Sequence, residues 1–143
     1  MKIYLASPFF SCEELTVYKA VINDLRAMGC EVYVPQENEI EDAWSLSNDV
    51  WAKAVYDEDI KAIKESDVVM VLNFGMYSDS GTAWEAGYAY ALKKEVVHVL
   101  CGKENATYSL MMINGCDKVV SLCNVANWEE VSAAVPFEKI IQK

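Results

Sequence analysis

Val68-Val69-Met70-Val71-Leu72 is an unbroken apolar run. A strand with one face in water alternates apolar and polar residues, so a run without alternation marks a strand covered on both faces, as at the centre of a parallel sheet. Upstream, Asn48 or Asp49 is placed to cap a helix running to about residue 65. Residues 36–47 are polar, acidic and aperiodic and read as a long loop, a kind of segment that often carries function in compact domains. Residues 30–34 form a second strand, closed by Pro35. Residues 13–28 carry Leu15, Tyr18, Ile22 and Leu25 at steps of three and four, which predicts an amphipathic helix stopped by Gly29. Residues 3–6 are a short buried strand before the turn-like Ser7-Pro8. Downstream come a loop at 73–79, a helix over 80–94, a strand over 96–100, a loop at 103–105, a short helix near 107–113 and a strand over 118–122. Asn127 is expected to cap a last helix through Trp128, Val131 and Val135, with Pro136 interrupting it.

Strands that alternate with helices predict an α/β domain with a doubly wound, mostly parallel sheet of about five strands and helices on both faces. A chain of 143 residues fits a single domain, 1–143. In such sheets ligands bind beyond the carboxyl ends of the strands. Residues 7–12, 36–47 and 73–79 are therefore the places to look for a site.

Lys and Arg number 12 against 22 Asp and Glu, a net charge of −10. That surface repels nucleic acid and anionic lipid and suits a neutral or cationic small molecule. The cysteines, Cys12, Cys30, Cys101, Cys116 and Cys123, are odd in number, contain no Cys-x-x-Cys pair and read as buried small hydrophobes. Met1 and Lys2 lead straight into a strand, with no signal peptide, and no apolar run approaches the roughly 18 residues of a membrane span. The expectation is a reducing, cytoplasmic setting with free thiols.

Two acids stand out. Between Thr82 and Leu92 the only charged residue is Glu85, in a segment so apolar around its circumference that the helix is expected to be largely buried. A carboxylate there is disfavoured unless paired or hydrogen-bonded, although the helix N-terminus favours an anion. A retained carboxylate of this kind suits a nucleophile; the bland alternative is an exposed stripe. Asp59 shares a helix face with Ala52, Val55, Tyr56 and Ile63. Burial would raise its pKa and suit a proton donor, while a helix-edge acid bonded to a neighbour explains it equally well. Asp79, just before Ser80-Gly81, is an N-cap, an acceptor for a sugar hydroxyl, or both.

No glycine-rich dinucleotide or phosphate loop and no serine-hydrolase elbow occurs. His98, the only histidine, lies in a strand without companions and reads as a core residue rather than a metal ligand. Carboxylate chemistry remains.

Three stretches, Lys2-Ile3-Tyr4-Leu5-Ala6-Ser7-Pro8-Phe9-Phe10, the segment from Trp51 to Tyr56-Asp57-Glu58-Asp59-Ile60, and Asp79-Ser80-Gly81-Thr82-Ala83-Trp84-Glu85-Ala86-Gly87, resemble in order and spacing the nucleoside 2-deoxyribosyltransferases, particularly the bacterial type that exchanges purines and pyrimidines. The resemblance runs from residue 2 to about 115. It implies a flavodoxin-like fold, no cofactor, no metal, deoxynucleosides and free nucleobases as partners, and a homo-oligomer, hexameric or dimer-based, in which a neighbouring subunit completes each site. It further implies Glu85 as nucleophile, Asp79 as the acid that holds the deoxyribose, Asp59 as the acid near the base and Tyr4 as the hydroxyl that orients Glu85. Phe9 and Phe10 fall where aromatics line the base site, and core packing is the other explanation for them.

Two positions depart from the family pattern. Ser109 stands before Leu110-Met111 where the neighbour's Asn is common, and serine there resembles the deoxynucleoside monophosphate N-glycosidases, in which it contacts the 5′-phosphate. Those enzymes, however, carry Ser where this chain has Asp79. Glu39 replaces a Gln that often reads the base, and an ionised glutamate only accepts hydrogen bonds. The expected activity is transfer of a deoxyribosyl group between bases through a deoxyribosyl-Glu85 intermediate, with minor hydrolysis. The alternatives are a monophosphate N-glycosidase and a non-catalytic nucleotide-binding module.

Overall fold

In the computed structural model, which describes residues 1–131 and 140–141, the apolar run becomes strand β3 (Val68–Asn73), buried along its whole length. It pairs with β1 (Lys2–Ala6) on one side and β4 (Glu95–Leu100) on the other. Strand β2 (Glu31–Tyr33) extends the sheet beyond β1, and β5 (Lys118–Ser121) extends it beyond β4. The order is β2-β1-β3-β4-β5 and every pairing is parallel, the flavodoxin-like arrangement.

Alternation along the strands divides the core in two. Ile3, Leu5, Met70 and Leu72 face α1 (Cys12–Ala27), which contributes Tyr18, Val21, Ile22 and Leu25, and they also face Val125 and Trp128. Tyr4, Ala6, Val69 and Val71 face the opposite layer, where Ile63 of α2 (Asn48–Glu65) and Ala86 and Ala89 of α3 (Ser80–Ala91) cover them. Helices therefore lie on both faces. Ser11 starts α1 with a reciprocal capping box to Glu14. Gly29, at φ +85°, ends it in the left-handed region.

Several sequence expectations need correction. Asn48 and Asp49 are inside α2, whose N-cap is Ser47. The long loop contains two 3-10 turns, Pro35–Glu37 and Ala43–Ser45. Helix α3 stops at Ala91 rather than residue 94, and Lys93 takes φ +59°. It is also less buried than its composition predicts. Only Thr82, Ala86 and Ala89 are buried, while Trp84 and Tyr90 are half exposed, because one sheet face covers one stripe of a helix. On α2, Ile63 is fully buried, Val55 and Asp59 are half-buried, and Ala52 and Tyr56 are exposed. The short helix is α4 (Leu110–Asn114). Asn127 caps no helix but ends a 3-10 turn, Leu122–Asn127, and Trp128 to Val131 are not helical; Val135 and Pro136 lie outside the described residues. None of the five cysteines is fully buried as expected: Cys12 and Cys123 are exposed, Cys30, Cys101 and Cys116 are half-buried, and all five are free.

His98 is a core residue, as expected, with Nδ1 3.3 Å from the Asn73 side-chain amide; burial lowers its pKa to about 4. Among the described residues no helix is long and apolar enough to cross a membrane. Ile63 lies one turn beyond Asp59 and anchors α2 to the sheet. Ile63→Ala is expected to cost about 2–5 kcal/mol of stability. That loss would appear as a lower urea midpoint at unchanged m-value.

Candidate active site

The reversal of strand order between β1 and β3 opens a crevice at the carboxyl ends of the sheet. A cleft of about 1070 Å³ lies there, bounded by the turn after β1, the loop after β2, one face of α2 and the first turns of α3. It brings together Phe9, Phe10, Glu39, Asp59, Asp79 and Glu85, six residues that the sequence placed in one site. Phe9 serves two purposes: it lines the cleft and stacks on the core ring of Tyr18 at 5.7 Å. Phe10 is 75% exposed, so packing in the core does not account for it. Ser109 is not in this cleft. It borders a separate apolar hollow with Tyr77, Tyr90, Met111 and Met112.

Glu85 is held by the packing of Ala86 and Ala89 against the sheet, which fixes how α3 rotates over β1 and β3. Its Oε2 is buried and has no hydrogen-bond partner. The Tyr4 hydroxyl is buried and unpartnered as well, and it lies close enough for each group to shift the acidity of the other. Burial pushes the Glu85 carboxyl up to about 7; Tyr4 pulls it back, and the charges of Asp59 and Asp79 add to the rise. The same burial, with Glu85 beside it, holds the Tyr4 hydroxyl far above the usual phenol range.

Asp79 both caps α3 and lines the cleft. Its Oδ2 accepts hydrogen bonds from the Thr82 backbone N–H at 2.9 Å and the Thr82 hydroxyl at 3.0 Å. Gly81 lies between the two acids: a methyl group there would come within 3.2 Å of Asp79 Oδ2 and 3.9 Å of Glu85 Oε1. Its missing side chain keeps that space open.

Asp59 faces the cleft from α2. Burial raises its pKa, a hydrogen bond from Tyr33 lowers it, and the Glu58 charge raises it again. The Tyr33 hydroxyl donates to Asp59 Oδ1 at 3.2 Å and accepts from Asn38 Nδ2 at 2.9 Å. The Tyr33 ring stacks on Tyr4 at 5.4 Å. Trp44, fully exposed, and Trp51, half exposed, add aromatic surface to the rim. The sequence reading missed Tyr33, Asn38, Gly81 and both tryptophans as site residues. Only the Tyr-x-Pro ending of β2 and the apolar rings in an acidic loop could have pointed to them.

A carboxylate with depressed acidity, a second acid across an aromatic-rimmed cleft and no cation among the described lining residues suit attack on an electrophilic carbon with proton transfer to a leaving group. Residues 3–122 match the family model described as nucleoside 2-deoxyribosyltransferase. A nucleoside deoxyribosyltransferase of Lactobacillus leichmannii is 25% identical over 137 residues, covering 88% of this chain and 87% of the relative. The solved structure of a 2-deoxyribosyltransferase from Bacillus psychrosaccharolyticus superposes with a TM-score of 0.75 at 34% identity, covering 90% of this chain and 92% of that one. A CMP N-glycosidase of Clostridium botulinum shares the fold, with a TM-score of 0.54 at 24% identity over 85% of this chain and 87% of that one. With most of its length matched and its carboxylates gathered in one cleft, the chain belongs to the nucleoside 2-deoxyribosyltransferase family.

Proposed function

We propose that this protein is a cytoplasmic transferase that moves the 2-deoxyribosyl group of a 2′-deoxynucleoside to another nucleobase. The observation that carries the reading is the Glu85 carboxyl, with one oxygen buried and unpartnered, opening on a cleft that a second acid also lines. A Glu85 oxygen attacks C1′, and the C1′–N bond breaks as its electron pair leaves with the base. Asp59 gives that base a proton. The sugar is then an ester of Glu85, while Asp79 accepts a hydrogen bond from a sugar hydroxyl and Tyr4 steadies the nucleophile. An incoming base attacks C1′, Glu85 leaves as carboxylate, and the proton lost by the new base returns to Asp59. Two inversions give retention. Water in place of the second base gives minor hydrolysis. Positive charge developing at C1′ draws Glu85 into its ionised form.

The cleft is lined by six carboxylates, Glu39, Glu41, Asp42, Asp59, Asp79 and Glu85, and by no Lys, Arg or His among the described residues. Such a field repels a 5′-phosphate and supports the free nucleoside over the monophosphate. Phe9, Phe10, Trp44 and Trp51 offer ring faces to a base. The half-exposed Tyr90 and the exposed Tyr77 and Met111 border the hollow that holds Ser109. They support a homo-oligomer, hexameric or dimer-based, in which Ser109 reaches a neighbour's cleft.

Deoxyadenosine with a different free base is expected to yield the new deoxynucleoside, while dAMP yields little product; rapid base release from dAMP alone would instead make the protein a monophosphate hydrolase. Glu85→Gln should lower exchange at least 1000-fold, and undiminished exchange would remove the mechanism. The same variant tests the cost of burial. The folded protein holds the Glu85 proton up to about pH 7 and the unfolded chain only to about 4.5. The ionised carboxylate therefore destabilises the fold increasingly from pH 4.5 to 7 and fully above that, by about 3 kcal/mol at ~1.4 kcal/mol per pKa unit. Denaturation at pH 8 should find Glu85→Gln the more stable protein, with the gap closing below pH 4.5. In the active enzyme kcat/KM should fall as pH drops through about 7, the Glu85 midpoint. Asp59→Asn, by removing a like charge, should move that limb to lower pH in whatever activity remains.

A further inference from the structure

We infer that Tyr33 is a positioning residue: it fixes one oxygen of Asp59 and ties that acid to the loop that closes the base end of the cleft. The inference rests on the reading of Asp59 as the proton donor to the base. Tyr33 has one hydroxyl proton, and its oxygen already accepts from Asn38 Nδ2 at 2.9 Å. The proton is directed to Asp59 Oδ1 at 3.2 Å. Asp59 lines the cleft, and Oδ2, the oxygen Tyr33 does not hold, is left as the one that carries the transferable proton. A carboxyl free to rotate would offer either oxygen and lose that orientation.

The arrangement is held from three sides. Stacking of Tyr33 on Tyr4 at 5.4 Å fixes the plane of its ring, and Tyr4 is fully buried on β1. Asn38 follows the 3-10 turn Pro35–Glu37 and adjoins Glu39, and both line the cleft. Asp59 is fixed by α2, whose Ile63 is anchored one turn away. The charged and titratable groups coupled to Asp59 are Tyr4 from β1, Tyr18 from α1, Tyr33 from β2, Glu85 from α3 and Glu58 of its own helix. No cation is among them, so the Tyr33 hydroxyl is the group that favours the ionised form. Burial first, and then the Asp59 charge, push the Tyr33 hydroxyl up to about 12; it stays protonated and remains a donor at any working pH. The bond from Asn38 polarises this hydroxyl and strengthens what it gives to Asp59. A base that takes the Asn38 amide for itself weakens the chain and raises the proton affinity of Asp59 when a proton is needed.

Tyr33→Phe keeps the ring and its stacking and removes only the hydroxyl. The test follows the Asp59 carboxyl carbon by NMR against pH, with the resonance assigned by its loss in Asp59→Asn. The expected result is a rise of about 0.5–1 unit in the Asp59 midpoint for Tyr33→Phe, the size of one lost hydrogen bond. A smaller rise is expected for Asn38→Leu, and no further rise when both changes are combined. Exchange should fall about 3–10-fold in kcat with KM little changed, since substrate contacts remain. An unmoved Asp59 midpoint in Tyr33→Phe, or additive effects in the double variant, would overturn the inference. The titration reads Asp59 without turnover. A shifted midpoint in a protein that shows no exchange would therefore sink the transferase reading and leave the hydrogen-bond chain standing.

Discussion

Burying one oxygen of Glu85 without a hydrogen-bond partner costs free energy that the rest of the fold must offset. The offset comes from the sheet beneath it. Tyr4, Val69 and Val71 present an apolar floor, and Ala86 and Ala89 settle on it closely because they are small. That contact sets the rotation of α3 and turns Glu85 inward. The unsatisfied oxygen is thus imposed by better packing on either side of it. Strain of this kind is kept where an anion is to act on a ligand.

The parallel sheet supplies the remaining geometry. Every strand ends on the same side, so residues far apart in sequence meet there. Tyr4 and Tyr33 are register partners on β1 and β2, and their rings stack. Asp79 ends the loop after β3, where the first turn of α3 gives it Thr82 to bond, and its position as cap places it beside the cleft. Helices α2 and α3 lie over the same sheet face and bring Asp59 and Glu85 to one cavity from separate elements. Like charges held this way raise one another's proton affinity, which suits a site that must store a proton and release it.

The outer surface of the same two helices is aromatic. Trp84 stacks on Tyr88 at 5.2 Å and meets Tyr56 edge-on at 5.8 Å, with Lys53 over the Tyr56 ring. Small residues, Thr82, Ala86 and Ala89, face inward on α3 while the rings of Trp84 and Tyr90 face outward, the reverse of an ordinary surface helix. This inversion is why composition alone overstated how deeply α3 is buried.

The sequence by itself determined the fold class and most of the acids. The unbroken run at 68–72 marks a doubly covered strand, alternation of strand and helix points to a doubly wound sheet, and one charge in eleven residues from Thr82 to Leu92 singles out Glu85. Local chemistry is enough for each of these. The ends of elements followed less well: Asn127 has the chemistry of a cap but ends a 3-10 turn, since propensity is weaker than the packing of Val125 and Trp128 against the core. Only the tertiary structure decided that Ser109 stands apart from the Glu85 cleft, that Gly81 spaces two acids, and that Asn38, Tyr33 and Asp59 form one hydrogen-bonded chain. Such contacts depend on register and helix rotation, which are set by how side chains from distant segments fill a shared volume, and no periodicity within one segment carries that information.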